Sequence, residues 1–229
     1  DTDAERNTQE SLHNLLEELT WLGLSWDEGP NPQNPTQHHG THGPYCQSQR
    51  HAIYHDHAEK LLEKGQAYYC FADEETIAEQ REASADKYRF QFQSPWQSLS
   101  LAEAKHKLAN GEQAVVRYRN THQSDIFRFD DLVRGPIELP GNMVGDFVLL
   151  RRDGSPVYNF CCAVDDATMA ITHILRGEEH LPNTLRQLMI YEALDLPKPE
   201  FGHLSLILDQ EQKKLSKRSG ASSISDFRE

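Results

Sequence analysis

The chain has no run of some eighteen apolar residues, so it offers no transmembrane helix. Cysteine is scarce: the four, at positions 46, 70, 161 and 162, are too few and too unevenly spaced for a disulfide framework, which fits a reducing compartment. Positive charge is also short. Lys and Arg number 23 against 36 Asp and Glu, a net charge of -13, which argues against indiscriminate nucleic-acid binding by phosphate neutralisation. A specific RNA would have to be met by local patches such as Arg117-Tyr118-Arg119 or Arg151-Arg152. There is no internal repeat and no low-complexity tract. The chain opens on Asp1-Thr-Asp3 without a starting Met or signal-peptide pattern, and stops at Arg228-Glu229 where a helical pattern has just begun. A piece of something longer is expected. Its 229 residues and mean hydropathy of -0.72 suit a soluble protein able to bury a sizeable core, in one large or two small domains.

Thr8 is placed to cap a helix carrying Leu12, Leu15, Leu16, Leu19 and Leu22, with Gly23 as its stop. Residues 26–43, rich in Pro, Gly, Asn and His, read as an irregular connection. Ser48 is placed to cap a second helix to about Lys64, with Ile53, Leu61 and Leu62 inward, and residues 67–71 read as a strand. From Asp73 the pattern changes to a polar helix, an alternating strand at Tyr88–Phe92, a short helix over Leu99–Ala109, and strands at 114–119, 126–129 and 147–150. Antiparallel-looking strands inside an α/β chain suggest an inserted subdomain. Beyond 156 the α/β order returns. Val157–Val164 and Ile171–Leu175 read as strands, Pro182–Leu194 as a helix with Leu185, Leu188, Met189 and Ala193 on one face, and Phe201–Leu208 as the last strand.

Three clusters bear chemistry. Lys213-Lys-Leu-Ser-Lys-Arg-Ser-Gly220 follows the last strand, and four of its first six residues are cationic in an otherwise acidic chain. A solvated basic turn is one reading. A compact cation such as Lys217 on a Ser- and Gly-flanked loop also suits polyphosphate, and open parallel sheets place ligands where a strand gives way to a loop. Asp165-Asp166 could hold Mg²⁺, but neighbours on a strand point to opposite faces, so neither is taken as a ligand. His38-His39-x-x-His42, flanked by Gly40 and Gly43 with no acidic partner close in sequence, reads as solvated loop histidines.

Lys214-Leu-Ser-Lys-Arg218 resembles the KMSKS signature of class I aminoacyl-tRNA synthetases, in the KLSKR form typical of glutamyl-tRNA synthetases. Similar in order and spacing to that family are Asp1-Thr-Asp-x-Glu-Arg6, Trp21-Leu-Gly-Leu-x-Trp-Asp-Glu-Gly-Pro30, Gly43-Pro-Tyr-x-Gln-Ser48, Asp165-Asp166, Thr172-His-Ile-Leu-Arg-Gly-Glu-Glu-His180 and Asn183-Thr184. The matches cover residues 1–50 and 128–229, whereas 73–127 match loosely. The resemblance implies an α/β fold: a Rossmann-type doubly wound parallel sheet split by an inserted α+β subdomain. Residues 1–72 would form the first part of the catalytic domain, 73–155 the insert that grips the acceptor end of tRNA, and 156–229 the second half with the KLSKR loop.

The implied activity is ATP-dependent formation of glutamyl-adenylate and transfer of glutamate to the 3′ end of tRNA-Glu. Alternatives are the relative that glutamylates a modified base of tRNA-Asp, a glutaminyl-tRNA synthetase, or a non-catalytic RNA-binding remnant. By resemblance Lys217 is the main transition-state contact to ATP, with Lys214 and Arg218 assisting and the Ser216 hydroxyl nearby. Arg176 and Tyr158 would line the glutamate pocket, Glu179 and His180 would lie near nucleotide and amino acid, and main-chain groups around Ile207 would meet the adenine. Mg²⁺ would arrive with ATP. Zinc is not expected, because Cys70-Phe-Ala replaces the Cys-x-Cys of many bacterial relatives and one Cys cannot build a four-ligand site. A monomer is expected, in a bacterial cytoplasm or in a chloroplast or mitochondrion. The HIGH signature and the anticodon-reading domains of the family are not within the sequence, so the 229 residues alone are expected not to support glutamate-dependent pyrophosphate exchange. In the intact enzyme, a preorganised contact from Lys217 is worth about 3–4 kcal/mol. Lys217→Ala should therefore lower kcat by about 10²–10³ while changing ATP affinity far less. Equal losses in both would reduce Lys217 to a binding role.

Overall fold

A computed structural model of the chain describes residues 8–86 and 90–208. The Asp1–Arg6 motif, the start of the Tyr88–Phe92 strand and the whole Lys213–Gly220 loop lie outside the described residues.

Helix α1 (Gln9–Trp21) begins where Thr8 Oγ1 accepts from the Ser11 N–H at 3.1 Å, and it ends before Gly23, whose φ of 74° only glycine adopts without strain. Of its leucine stripe Leu16 is buried, while Leu15 and Leu22 remain exposed. The stretch read as an irregular connection contains a hairpin instead, β1 (Gly29–Asn31) and β2 (Asn34–His39), with Pro30 opposite His38. No apolar alternation announces it. It is set by turn chemistry: Asn31 Oδ1 accepts from the Gln33 N–H at 2.8 Å, and Trp26 Nε1 donates to the Pro30 carbonyl at 2.8 Å. The three histidines are exposed, as expected, but His38 and His39 lie on β2 rather than in a loop, and the fold gives His38 and His42 partners. His42 Nδ1 lies 2.9 Å from Glu28, an acidic partner brought in by the fold, and His38 packs edge-on against Tyr45. Tyr45 and His42 donate to Glu28 and hold its carboxyl down at about 2.

Helix α2 (His51–Glu63) buries Tyr54, Ala58, Leu61 and Leu62, one stripe at helical spacing. It starts later than its sequence suggests, because Ser48 sits in a 3₁₀ turn over Gln47–Gln49 and Arg50 occupies the cap position. Strand β3 (Ala67–Cys70) and helices α3 (Glu74–Ala83) and α4 (Leu101–Ala109) follow. Asp73 caps α3, and Ser100 with Glu103 forms a reciprocal capping box on α4. Phe90–Phe92 form no strand. Their aromatic rings are engaged by cations instead of a ladder, Arg81 over Phe90 and Arg117 over Phe92.

Strand β4 (Val115–Tyr118) runs antiparallel to both β3 and β7 (Phe147–Leu150), and β5 (Ile126–Asp131) forms a six-residue hairpin with β6 (Gly135–Pro140), a strand not among those expected from the sequence. The proposed boundary after residue 72 thus falls just past β3, whose sheet partner lies in the following segment.

The run 157–164, read as a strand, is the first part of helix α5 (Tyr158–Thr168). A short apolar run fits a buried strand and a buried helix equally. The burial of Phe160, Cys161, Ala163 and Val164 follows helical spacing, and α5 is packed between α2 and α6 (Leu181–Ala193). All four residues foreseen on the inner face of α6 are buried. Cys161-Cys162 and Asp165-Asp166 are therefore helical neighbours, about 100° apart around the axis and not on opposite faces. Strands β8 (His173–Gly177) and β9 (Glu200–Leu204) form a parallel pair. β9 is shorter than foreseen, because its partner ends at Gly177, opposite Leu204, and turns away.

One ion pair ties α2 to α5. Arg50 Nε donates to Asp165 at 2.7 Å, and the rest of its fork reaches the Pro44 carbonyl and Thr168 Oγ1. Gln47 and Tyr54 satisfy the same carboxylate. Arg50 is only 2% exposed. Breaking a buried pair leaves an uncompensated charge, so Arg50→Met should destabilise the protein by about 3–5 kcal/mol in urea unfolding. A loss below about 1 kcal/mol would mean that Asp165 is already adequately solvated.

Candidate functional site

The register of β8 on β9 sets Arg176 beside His203. Both strands end one residue later, and the chain leaves β8 through a 3₁₀ turn over Glu178–His180 that runs directly into α6. The N-terminus of α5 approaches the same end, where the Tyr158 ring lies 6.1 Å from that of His180. Asn183 Nδ2 lies 3.0 Å from His180 Nδ1, and Asn159 donates to Asn183 at 3.3 Å. Two strand ends, one helix start and a turn thus converge at the carboxyl edge of a parallel pair, the position where open α/β sheets bind ligands.

Arg176 is the most constrained side chain here. Its Nη2 donates to Thr184 Oγ1 at 2.5 Å and Gln187 Oε1 at 2.8 Å, its Nε donates to His203 Nε2 at 3.3 Å, and its guanidinium lies 5.4 Å over the Phe201 ring. Nη1 stays outside this set of contacts. A planar fork held in this way suits a carboxylate. Tyr158 is half exposed. Burial first, then the Cys162 thiol, pushes its phenol up, and the Arg176 charge opposes them.

The structure therefore brings Tyr158, Arg176 and His180 together. Glu179 lies on the same turn, and Ile207 follows β9, one residue beyond Leu206, whose N–H donates to Glu178 at 3.5 Å. Lys214, Ser216, Lys217 and Arg218 lie outside the described residues. Asp165 and Asp166 diverge in environment. The first is paired with Arg50, whereas burial pushes the second up to about 6 against a hydrogen bond from Tyr191. Among the described residues no group of three or more His, Cys, Asp or Glu is placed to hold a metal ion.

The profile described as tRNA synthetases class I (E and Q), catalytic domain, matches residues 1–229. The chain belongs to this family. The glutamate–tRNA ligase of Bdellovibrio bacteriovorus is 54% identical over 221 residues, which are 96% of this chain and 44% of that protein. Glutamate–tRNA ligase 2 of Caldicellulosiruptor saccharolyticus is 44% identical over 228 residues, 99% of this chain and 46% of that one. The crystal structure of a glutamate tRNA ligase from Elizabethkingia meningosepticum in complex with its amino acid is similar with a TM-score of 0.83 and 36% identity, covering 96% of this chain and 44% of that chain. This class I synthetase chain thus spans less than half the length of these relatives, and its α/β fold is theirs.

Sequence reasoning missed one part of this candidate site. Asp131 and His203 are both wholly buried, and His203 Nδ1 lies 2.6 Å from Asp131 Oδ2. They are 72 positions apart, so no local spacing links them. The one available signal was an Asp at the end of an alternating strand before a Gly-containing turn. Burial pushes the Asp131 carboxyl up, but the hydrogen bond from the His203 ring and those from the His203, Arg134 and Val133 N–H groups outweigh it and hold it at about 2. Folding lowers this group from its ordinary 3.8, so its contribution is present above pH 4 and is lost as pH falls towards 2. Asp131→Asn should cost about 2–3 kcal/mol at pH 7, and the gap to the parent protein should narrow between pH 4 and 3. Urea unfolding at stepped pH measures it, and a gap independent of pH would contradict this assignment.

Proposed function

We propose that the chain is the nucleotide- and glutamate-binding part of a glutamate–tRNA ligase. It would make glutamyl-adenylate from glutamate and ATP, then deliver glutamate to the 3′ end of tRNA-Glu. The observation that carries this reading is the convergence of Tyr158, Arg176 and His180 at the carboxyl ends of β8 and β9, in a chain whose relatives bear that ligase name. Arg176 would hold a glutamate carboxylate and Tyr158 would wall the pocket beside it. His180, fixed through Asn183, would close the far side. Main-chain groups near Ile207 would meet the adenine, with Glu179 close by.

In the first step an oxygen of the α-carboxylate attacks the α-phosphorus and pyrophosphate leaves. Lys217, Lys214, Ser216 and Arg218 would meet the charge that shifts onto that leaving group. Mg²⁺ would enter with the triphosphate, whose charge it offsets, and no cage of protein carboxylates is invoked for it. The segment 73–155 would grip the acceptor end of tRNA, between catalytic parts 1–72 and 156–229. The names and 44–54% identities of these relatives favour this reading over a tRNA-Asp-modifying enzyme, a glutaminyl-tRNA synthetase or a non-catalytic remnant. No described helix is long and apolar enough to cross a membrane. A monomer in a bacterial cytoplasm, or in an organelle, completes the proposal.

Charging assays on the full-length protein carrying these residues test it. With ATP, Mg²⁺ and tRNA-Glu, labelled glutamate should become acid-precipitable and labelled glutamine should not. Arg176→Ala should raise the glutamate KM at least about tenfold, as expected for loss of a charge-assisted contact. Equal charging with glutamine, or an unchanged glutamate KM, would overturn the reading.

A further inference from the structure

Arg176 does not orient itself. Its Nε meets His203 Nε2, and Nε2 can accept that hydrogen bond only when the ring proton sits on Nδ1. Asp131 dictates this. Its Oδ1 accepts from the main-chain N–H groups of Val133 and Arg134, the His203 N–H reaches both oxygens at 3.1 Å, and Oδ2 faces the His203 ring. The imidazole is gripped on its flanks as well, stacked on Phe201 and edge-on to Phe129. Thr184 Oγ1 lies 2.8 Å from the same Nε2 and accepts from Arg176, so the two contacts share a corner. Gln187 turns Oε1 to Arg176 at the cost of leaving its own buried Nε2 without a hydrogen-bond partner among the described residues. Four side chains on three elements, Asp131 on β5, His203 on β9, and Thr184 and Gln187 on α6, are thus committed to one guanidinium, and the outermost of them, Asp131, acts on Arg176 only through His203.

We propose that Asp131 and His203 are positioning residues for glutamate recognition: the buried carboxylate fixes the imidazole tautomer, and the imidazole fixes the Arg176 fork in its carboxylate-binding orientation. This rests on the assignment of Arg176 to the glutamate carboxylate. Asp131 belongs to the end of β5 and His203 to β9, so this buried pair links the β5–β6 hairpin to the amino-acid site.

The test is Asp131→Asn in the full-length protein, with pyrophosphate exchange and ¹⁵N-histidine NMR as readouts. The Val133 and Arg134 N–H groups, which donate to Oδ1 alone, require the amide oxygen at that position, which puts the amide NH₂ against His203 Nδ1. The ring proton must then move to Nε2, where it confronts the Arg176 Nε–H. The glutamate KM should rise at least about tenfold with the ATP KM changed less than about twofold, and the His203 nitrogen shifts should exchange tautomer signatures. His203→Gln, which keeps an acceptor near the Nε2 position, should retain most of the glutamate affinity that His203→Ala loses. Thr184→Val preserves shape and removes one contact to Arg176, so it should raise the glutamate KM severalfold even if the buried-pair variants fail to fold. An exchanged tautomer with an unchanged glutamate KM overturns the proposal, as does His203→Gln behaving like His203→Ala, or an unaltered KM in Thr184→Val. Arg176→Ala measured in parallel separates the two levels. If it leaves the glutamate KM unchanged, the carboxylate assignment itself falls. If it raises that KM while the positioning variants do not, only the relay falls.

Discussion

The site is organised around a carboxylate and an imidazole with no access to water. Burying two titratable groups is costly unless each polar atom finds a partner. Asp131 meets that condition with the Val133 and Arg134 N–H groups on one oxygen, the His203 ring on the other and the His203 N–H shared between them, and His203 passes the constraint to Arg176. The β8–β9 pair alone would leave a long, flexible cation at a strand end. The buried network converts it into a fork of defined direction.

Around that fork, the same economy recurs. Arg50 fastens α2 to α5 through Asp165 and so holds the helix that carries Tyr158. Asn183 locks the His180 ring from the first turn of α6. Arg134, in the β5–β6 turn, pairs with Glu178, which also accepts from the Leu206 N–H on the segment leading to Ile207. Each pocket-lining group stands on a regular element or its immediate end, and its orientation comes from a partner on another element. This division suits an acyl-adenylation site, where catalysis depends more on preorganised charge than on any single acid or base.

The parts of the fold legible in the sequence were those with local periodicity. The leucines of α1, the inward faces of α2 and α6, and the capping residues Thr8 and Asp73 all follow from spacing and propensity. The run 157–164 misled because an apolar octapeptide has no period of its own, and only packing against α2 and α6 makes it helical. The β1–β2 hairpin was invisible because its register comes from an Asx turn and a tryptophan hydrogen bond, not from alternation. In the site, Tyr158, Arg176 and His180 were named through family resemblance. Asp131 and His203 were not, because their relation exists only once β5 lies against β9.

The most direct measurement is a crystal structure of the complete protein with a non-hydrolysable glutamyl-adenylate analogue. The account expects a carboxylate of the glutamyl moiety on the Arg176 guanidinium, the Tyr158 ring alongside it, and the adenine against the main chain near Ile207. An analogue bound elsewhere, with Arg176 turned to solvent and the β8–β9 edge vacant, would contradict it.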